Sequence, residues 1–427
     1  MFDEHGCRGK FVNYHDAARQ LEYVRQSLSQ NKKHVGFFIG AGCALAVRIE
    51  MAGEGGAVKS GPIIPDVAGL TAMIAERLKS PENGKKSLYE RMAALFAEDE
   101  KAEFTIEDVL SMVRSMSQVA GKGEVRGFTA SELEQIDRDI CEIISDVVDK
   151  NLPNKETPYH DLAIWARSLV RDKPVHIFTT NYDLLMEEAL EDSNAPYFDG
   201  FVGARNAFFD LGAVENEKLI VSRWLRLWKI HGSINWRLKK AEGSESVSVV
   251  RSDTIEAGQK YLIYPSHLKF DQSRKMPYLA LMDRLRDFLL CPSSILLMSG
   301  YSFSDDHIND IIVSGLKNNP SAMVYVFLFG PLNEKGYAKA VACGKQTPNL
   351  VIAAQDRAVI GRQEHEWICS GSADGVETAT KIIELKGEET EENEGRIPCH
   401  FHLGDFAKLG ALLKSLSRDE LASPSGE

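Results

Sequence analysis

Seven cysteines are spread through the chain (Cys7, Cys43, Cys141, Cys291, Cys343, Cys369 and Cys399), and no two stand in a C-x-x-C pair. That scatter argues against a zinc ribbon and a disulfide framework, so no metal is expected, and the odd number suits a reducing compartment. No apolar run approaches the roughly 20 residues that span a bilayer, and the first residues, Met1 to Phe11, carry no apolar core of a signal peptide. A cytoplasmic protein without membrane contact is expected. Positive charge is also in deficit: Lys and Arg total 50 against 62 Asp and Glu, a net charge of −12. A surface that acidic is a poor general counterion for phosphate backbones, so direct non-specific nucleic-acid binding is not expected. No internal repeat is present.

The chain does have enough apolar residues, 44% of 427, to bury two or three packed units. Its most informative stretch is His34 to Cys43, where an apolar run breaks into Gly40-Ala41-Gly42. The pattern predicts a buried strand that turns sharply, with the glycines at φ > 0. A following helix would aim free N–H groups at a pyrophosphate. A tight turn with no ligand fits the three residues equally well. Residues 50–61 are rich in glycine and predict a loop over this turn.

From 67 to 172 only helical spacing is found, in segments 67–79, 86–98, 105–119, 130–151 and 157–171. Thr105 to Asp108 and Ser131 to Glu134 match capping boxes. Short apolar runs resume at Val175–Thr179, Leu227–Ile230, Tyr261–Tyr264, Ile295–Met298, Val324–Phe329 and Leu350–Ala353, several followed by helical or glycine-rich stretches. The expected fold is therefore α/β, a Rossmann-like, mostly parallel sheet with an inserted all-helical module and no zinc ribbon. The parts are 1–66 (N-terminal helix, first strand, glycine turn), 67–172 (helical insert) and 173–427 (remaining sheet). A charged run at 386–395 reads as a solvated loop, and Phe401 to Leu416 as a closing helix.

Four segments fall at the carboxyl ends of expected strands, where open parallel sheets bind ligands: Gly40-Ala41-Gly42, Thr180-Asn181-Tyr182-Asp183, His231-Gly232-Ser233 and Gly300-Tyr301-Ser302. Asn181 can donate to and accept from hydroxyls, and Thr180, Asn181 and Asp183 equally suit a helix cap. His231 offers an imidazole suited to moving a proton at neutral pH. His160, His176 and His267 take a structural reading. Arg223, Arg226, Lys229, Arg237, Lys239 and Lys240 make a local basic cluster that suits a solvated face or the steering of an anionic ligand, and Trp224, Trp228 and Trp236 read as core or interface.

Read in order, these motifs resemble the sirtuin-like family of NAD-binding proteins, in particular its bacterial defence branch. The matching pieces are Gly40-Ala41-Gly42-Cys43 with Ile64-Pro65-Asp66, Thr180 to Leu185, His231-Gly232-Ser233, and Gly300 to Asp305 with His307-Ile308-Asn309. The resemblance implies Asn181 and His231 as the catalytic pair. It implies NAD bound by Gly40, Ala41, Gly42, Cys43, Asp66, Thr180, Asp183, Gly300 and Ser302. Cys43 stands where the family usually has serine, and about twenty residues separate it from Ile64-Pro65-Asp66 instead of a few. Protein-deacylating members carry a cysteine-rich zinc module that this chain lacks, so NAD hydrolysis is favoured. A deacylase and a non-catalytic NAD or ADP-ribose sensor remain as alternatives. The layout further resembles a homo-oligomeric subunit that partners a hexameric HerA-type ATPase or translocase.

Overall fold

The computed structural model describes residues 14–52, 58–80, 86–101, 103–121, 123–168, 171–240, 247–252, 260–263, 277–370, 379–387 and 396–422. Cys7, His267, Tyr264, the tip of the glycine-rich loop (53–57) and most of the charged run (388–395) lie outside them.

Six parallel strands form the centre: β1 (Val35–Ile39), β2 (His176–Thr179), β3 (Leu225–Lys229), β4 (Ile295–Ser299), β5 (Met323–Phe327) and β6 (Leu350–Ala353). They lie side by side in the order 3-2-1-4-5-6, a doubly wound arrangement that reverses direction between β1 and β4. These strands are short apolar runs because both faces are covered. Phe37, Ile39, Ile177, Leu227 and Leu297 point into one core, while Phe38, Phe178, Trp228, Leu296 and Met298 point into the other. Antiparallel strands at 357–360, 363–370, 396–401 and 383–385 extend the sheet beyond β6.

The expected helices form as α1 (Ala17–Leu28), α2 (Val67–Arg77), α3 (Leu88–Glu98), α4 (Ile106–Ala120), α5 (Ala130–Val148) and α6 (Pro158–Ser168). Capping boxes close α3 (Ser87 with Glu90), α4 (Thr105 with Asp108) and α5 (Thr129 with Glu132). The box of α5 therefore starts two residues before the expected Ser131, because Thr129 ends a two-stranded ladder, Glu124–Val125 with Phe128–Thr129, and is already extended there. Helix α6 leaves the insert and lies on the sheet, with Trp165 edge-on to Phe37 at 5.3 Å. The closing helix starts at Phe406, since Phe401 ends a strand, and Phe406 packs on Tyr159 of α6 at 5.1 Å. One apolar cluster runs from the sheet through Ile74, Leu110 and Ile140, so the insert's apolar faces are largely consumed within the molecule.

Two expectations need correction here. The strand at 260–263 belongs to a separate five-stranded antiparallel sheet, paired with Gly232–Lys240. The basic residues around His231 are only partly a solvated face: Arg223 and Lys239 are exposed, but Arg226, Lys229 and Arg237 are buried, and Trp228 and Trp236 lie in the core as expected. Both faces of β3 are covered, so Arg226 and Lys229 are enclosed on opposite sides, where Lys229 meets Glu187 at 2.8 Å and Arg226 donates to the Trp224 carbonyl at 2.5 Å.

Candidate active site

The four strand-end segments close a ring of hydrogen bonds. Asn181 Nδ2 donates to the Gly40 carbonyl at 3.2 Å. Behind Asn181, the Tyr182 carbonyl accepts from Ile234 N–H at 3.0 Å and from the Ser233 hydroxyl at 3.4 Å, which ties the second segment to the third. His231 Nε2 lies 3.1 Å from Asp305 Oδ2, joining the third to the fourth. Gly42 N–H donates to the Gly300 carbonyl at 3.0 Å and completes the circuit. Because β3 and β4 are separated by β1 and β2, roughly 14 Å at ordinary strand spacing, the His231–Asp305 contact requires its loops to arch over the ends of the two middle strands. The enclosed crevice lies at the point where the sheet reverses direction.

The glycines of the turn serve close approach and not left-handed backbone. Gly40 has φ −101°, and neither it nor Gly42 has positive φ. A Cβ on Gly40 would lie 2.3 Å from the Gly300 oxygen, and one on Gly42 would lie 2.9 Å from Gly300 Cα. Positive φ falls instead on other strand-end residues, Gly232 at +88°, Gly300 at +67° and Phe303 at +62°. The expected helix is instead a 3-10 helix, Ala41–Ala46, and Gly40, Gly42 and Cys43 spend their N–H groups on the carbonyls of Ser299, Gly300 and Gly40. Chain continuity with Ile64-Pro65-Asp66 is kept by a hairpin, Arg48–Ala52 with Val58–Pro62. Ile63 N–H donates to Val47 O at 2.9 Å, so the extra residues leave and return at one point.

Asn181 is buried; its Oδ1 is a buried acceptor without a hydrogen bond. Thr179 steadies it from below, accepting from Asn181 N–H at 3.0 Å while donating to Ile39 O at 2.8 Å. Asp183 accepts from Leu185 N–H at 3.1 Å, and burial, partly offset by Lys229, pushes its carboxyl up to about 6. Cys43 is fully buried with its thiol on the Ser299 carbonyl at 3.3 Å, and burial raises it to about 12, which leaves it a neutral packing group. Thr180 and Ser302 are half-buried members of their loops. Asp66 is exposed and caps α2 through Gly69 N–H at 2.7 Å, so no described bond takes it into the ring. His176 keeps its structural role, accepting from Trp228 Nε1 at 3.2 Å.

Asp305, the last residue of the matched stretch that begins at Gly300, has two jobs. It caps the helix Asp306–Asn318 through His307 and Ile308 N–H groups with Oδ1 and meets His231 with Oδ2. Burial pushes its carboxyl up, but the His231 contact and the two N–H groups outweigh that and hold it near 2. An ionised Asp305 is an acceptor placed to hold the His231 ring through Nε2. Tyr301 locks the same loop, donating to the Asp305 carbonyl at 3.1 Å and contacting Asn309 Oδ1 at 3.0 Å.

Residues 175–343 match the SIR2-like domain family. The SIR2-like segment holds Asn181, His231, Gly300, Ser302 and Asp305, and the glycine turn and insert precede it. No curated protein sequence matches the chain. Among solved structures, one described as the structural basis for the mechanism and regulation of Sir2 enzymes is 15% identical, covers 74% of this chain and 87% of its own, and gives a TM-score of 0.34. A mutant Sir2 homologue in complex with ADP-ribose is 14% identical, covers 73% and 86%, and gives 0.32. Among the described residues no cysteine cluster suits a zinc ribbon, and no helix is long and apolar enough to cross a membrane.

Proposed function

We propose that the protein is an NAD+ hydrolase that cleaves NAD to nicotinamide and ADP-ribose, with Asn181 and His231 as the catalytic pair. The observation that carries this reading is the closed ring at the sheet's reversal point, in which Asn181 is anchored through Nδ2 and keeps Oδ1 as a buried acceptor. A buried acceptor of that kind suits a ribose hydroxyl or the attacking water. Cleavage of the nicotinamide–ribose bond builds positive charge on the sugar, so the site must hold the ribose, release a neutral base and admit water. Asn181 orients the ribose or water, and His231, held by Asp305, takes a proton or fixes a ribose hydroxyl. In this reading the pyrophosphate lies against the loops that Gly40, Ala41 and Gly42 form with Gly300, with Thr180 and Ser302 beside it. Cys43, Asp183 and Asp66 complete the proposed set, the first two as buried groups and Asp66 as an exposed one.

Within this reading the enzyme is a cytoplasmic, regulated effector of anti-phage defence, working as a homo-oligomer with a HerA-type hexameric ATPase, because uncontrolled loss of NAD would kill its host. The test is to incubate the protein with NAD, with and without an acylated peptide and the ATPase, and to identify products by mass. Nicotinamide and ADP-ribose should appear without peptide, and Asn181→Ala or His231→Ala should lower turnover at least about 100-fold with the fold retained. Release that depends on the peptide would make it a deacylase, and binding without turnover a sensor.

A further inference from the structure

We propose a transition-metal site of Zn2+ type at the antiparallel edge of the sheet, formed by Glu384, His400 and His402, independent of the crevice and of the activity assigned to it. The backbone itself brings the three together. His400 and His402 stand two apart along one extended segment, so their side chains share a face, and Glu384 is the cross-strand partner of His400. His402 continues the ladder through its N–H to the Ile382 carbonyl at 2.8 Å. The opposite face carries Ile383, Cys399 and Phe401, which are buried, so register cannot slip by one residue without turning that apolar set outward.

The donor atoms already have near-ligating separations. Glu384 Oε2 lies 3.0 Å from His402 Nε2 and 3.8 Å from His400 Nδ1. Two ligands at 2.0–2.1 Å from a tetrahedral ion are about 3.3 Å apart, so small side-chain rotations meet that spacing. The imidazole rings stand 5.9 Å apart at 76°, which presents nitrogen edges instead of stacked faces. His400 Nδ1 is buried and makes no hydrogen bond, the state of a donor atom waiting for a partner. Two imidazoles and one carboxylate select zinc, copper, nickel or cobalt over magnesium or calcium. The carboxylate belongs to the edge strand 383–385 and the imidazoles to its neighbour, so a bound ion would clamp the edge strand to the sheet.

The test uses the full chain stripped with a chelator and titrated with ZnCl2 by calorimetry, then with Co2+ followed in the visible. One ion per chain is expected, with a tetrahedral Co2+ spectrum free of thiolate charge-transfer absorption. His402→Ala and Glu384→Gln should each weaken Zn2+ at least tenfold with circular dichroism unchanged. Lys386 Nζ sits 3.4 Å from Glu384 Oε2 and competes for it, so Lys386→Ala should tighten binding. No saturable Zn2+ binding, a thiolate spectrum, binding indifferent to His402→Ala and Glu384→Gln, or no tightening in Lys386→Ala would overturn the assignment.

Discussion

The helical insert and the rim of the crevice are built by opposite rules. In α3, α4 and α5 each helix start is satisfied by a residue three positions away, and apolar residues at helical spacing fill a continuous core. The rim depends on contacts between distant segments, such as Gly40 against Gly300 and His231 against Asp305. The insert is thus held by contacts local in sequence and the rim by contacts distant in sequence.

Substitutions can break that contrast, and Gly40→Ala should do so most severely. A methyl group 2.3 Å from a carbonyl oxygen forces two strand ends apart. The expected cost is about 3 kcal/mol, seen as a lower urea midpoint, with loss of NAD turnover. Asp305→Asn comes next. Asparagine still caps the helix but supplies no charge to His231, so kcat should fall roughly 10- to 100-fold with KM little changed.

The same variant has a pH signature. A carboxyl held near 2 when folded, against an ordinary value near 3.9, contributes stability that is complete above about 4 and disappears as pH falls through about 2. The wild type should therefore lose on the order of 2 kcal/mol across that window relative to Asp305→Asn, measured by denaturant titration at several acid pH values. In the insert, Thr129→Ala should cost about 1 kcal/mol and leave turnover at 25 °C intact. A fall in turnover would erase the division between the two regions. Tyr182→Phe should have the smallest effect, about 0.5–1.5 kcal/mol, by removing its 2.6 Å hydrogen bond to Glu107, a direct bond between insert and rim.

Legibility in the sequence follows the same division. The helices of the insert are readable because caps and spacing are local, and Thr105 with Asp108 marks the start of α4 to within a residue. The parallel strands are readable as apolar runs. The antiparallel strands are not, because residues such as Tyr261 and Leu262 carry no mark of which sheet they join. In the rim, Gly40, Asn181, His231 and Gly300 stand out by residue type at strand ends. The double use of Asp305 does not, since a capping aspartate looks the same whether or not an imidazole from a strand three places away rests on it. The burial of Lys229 likewise depends on Glu187, whose position only the fold supplies.

The interlock of Gly40 with Gly300 also has a consequence for synthesis. Strand β1 leaves the ribosome early, but its neighbour β4 and the loop that seats His231 follow only after the insert and the second sheet have been made. An incomplete chain therefore cannot hold the crevice together. On the proposed reading, a growing polypeptide is chemically silent, and the capacity to consume NAD arrives only once most of the molecule has been translated.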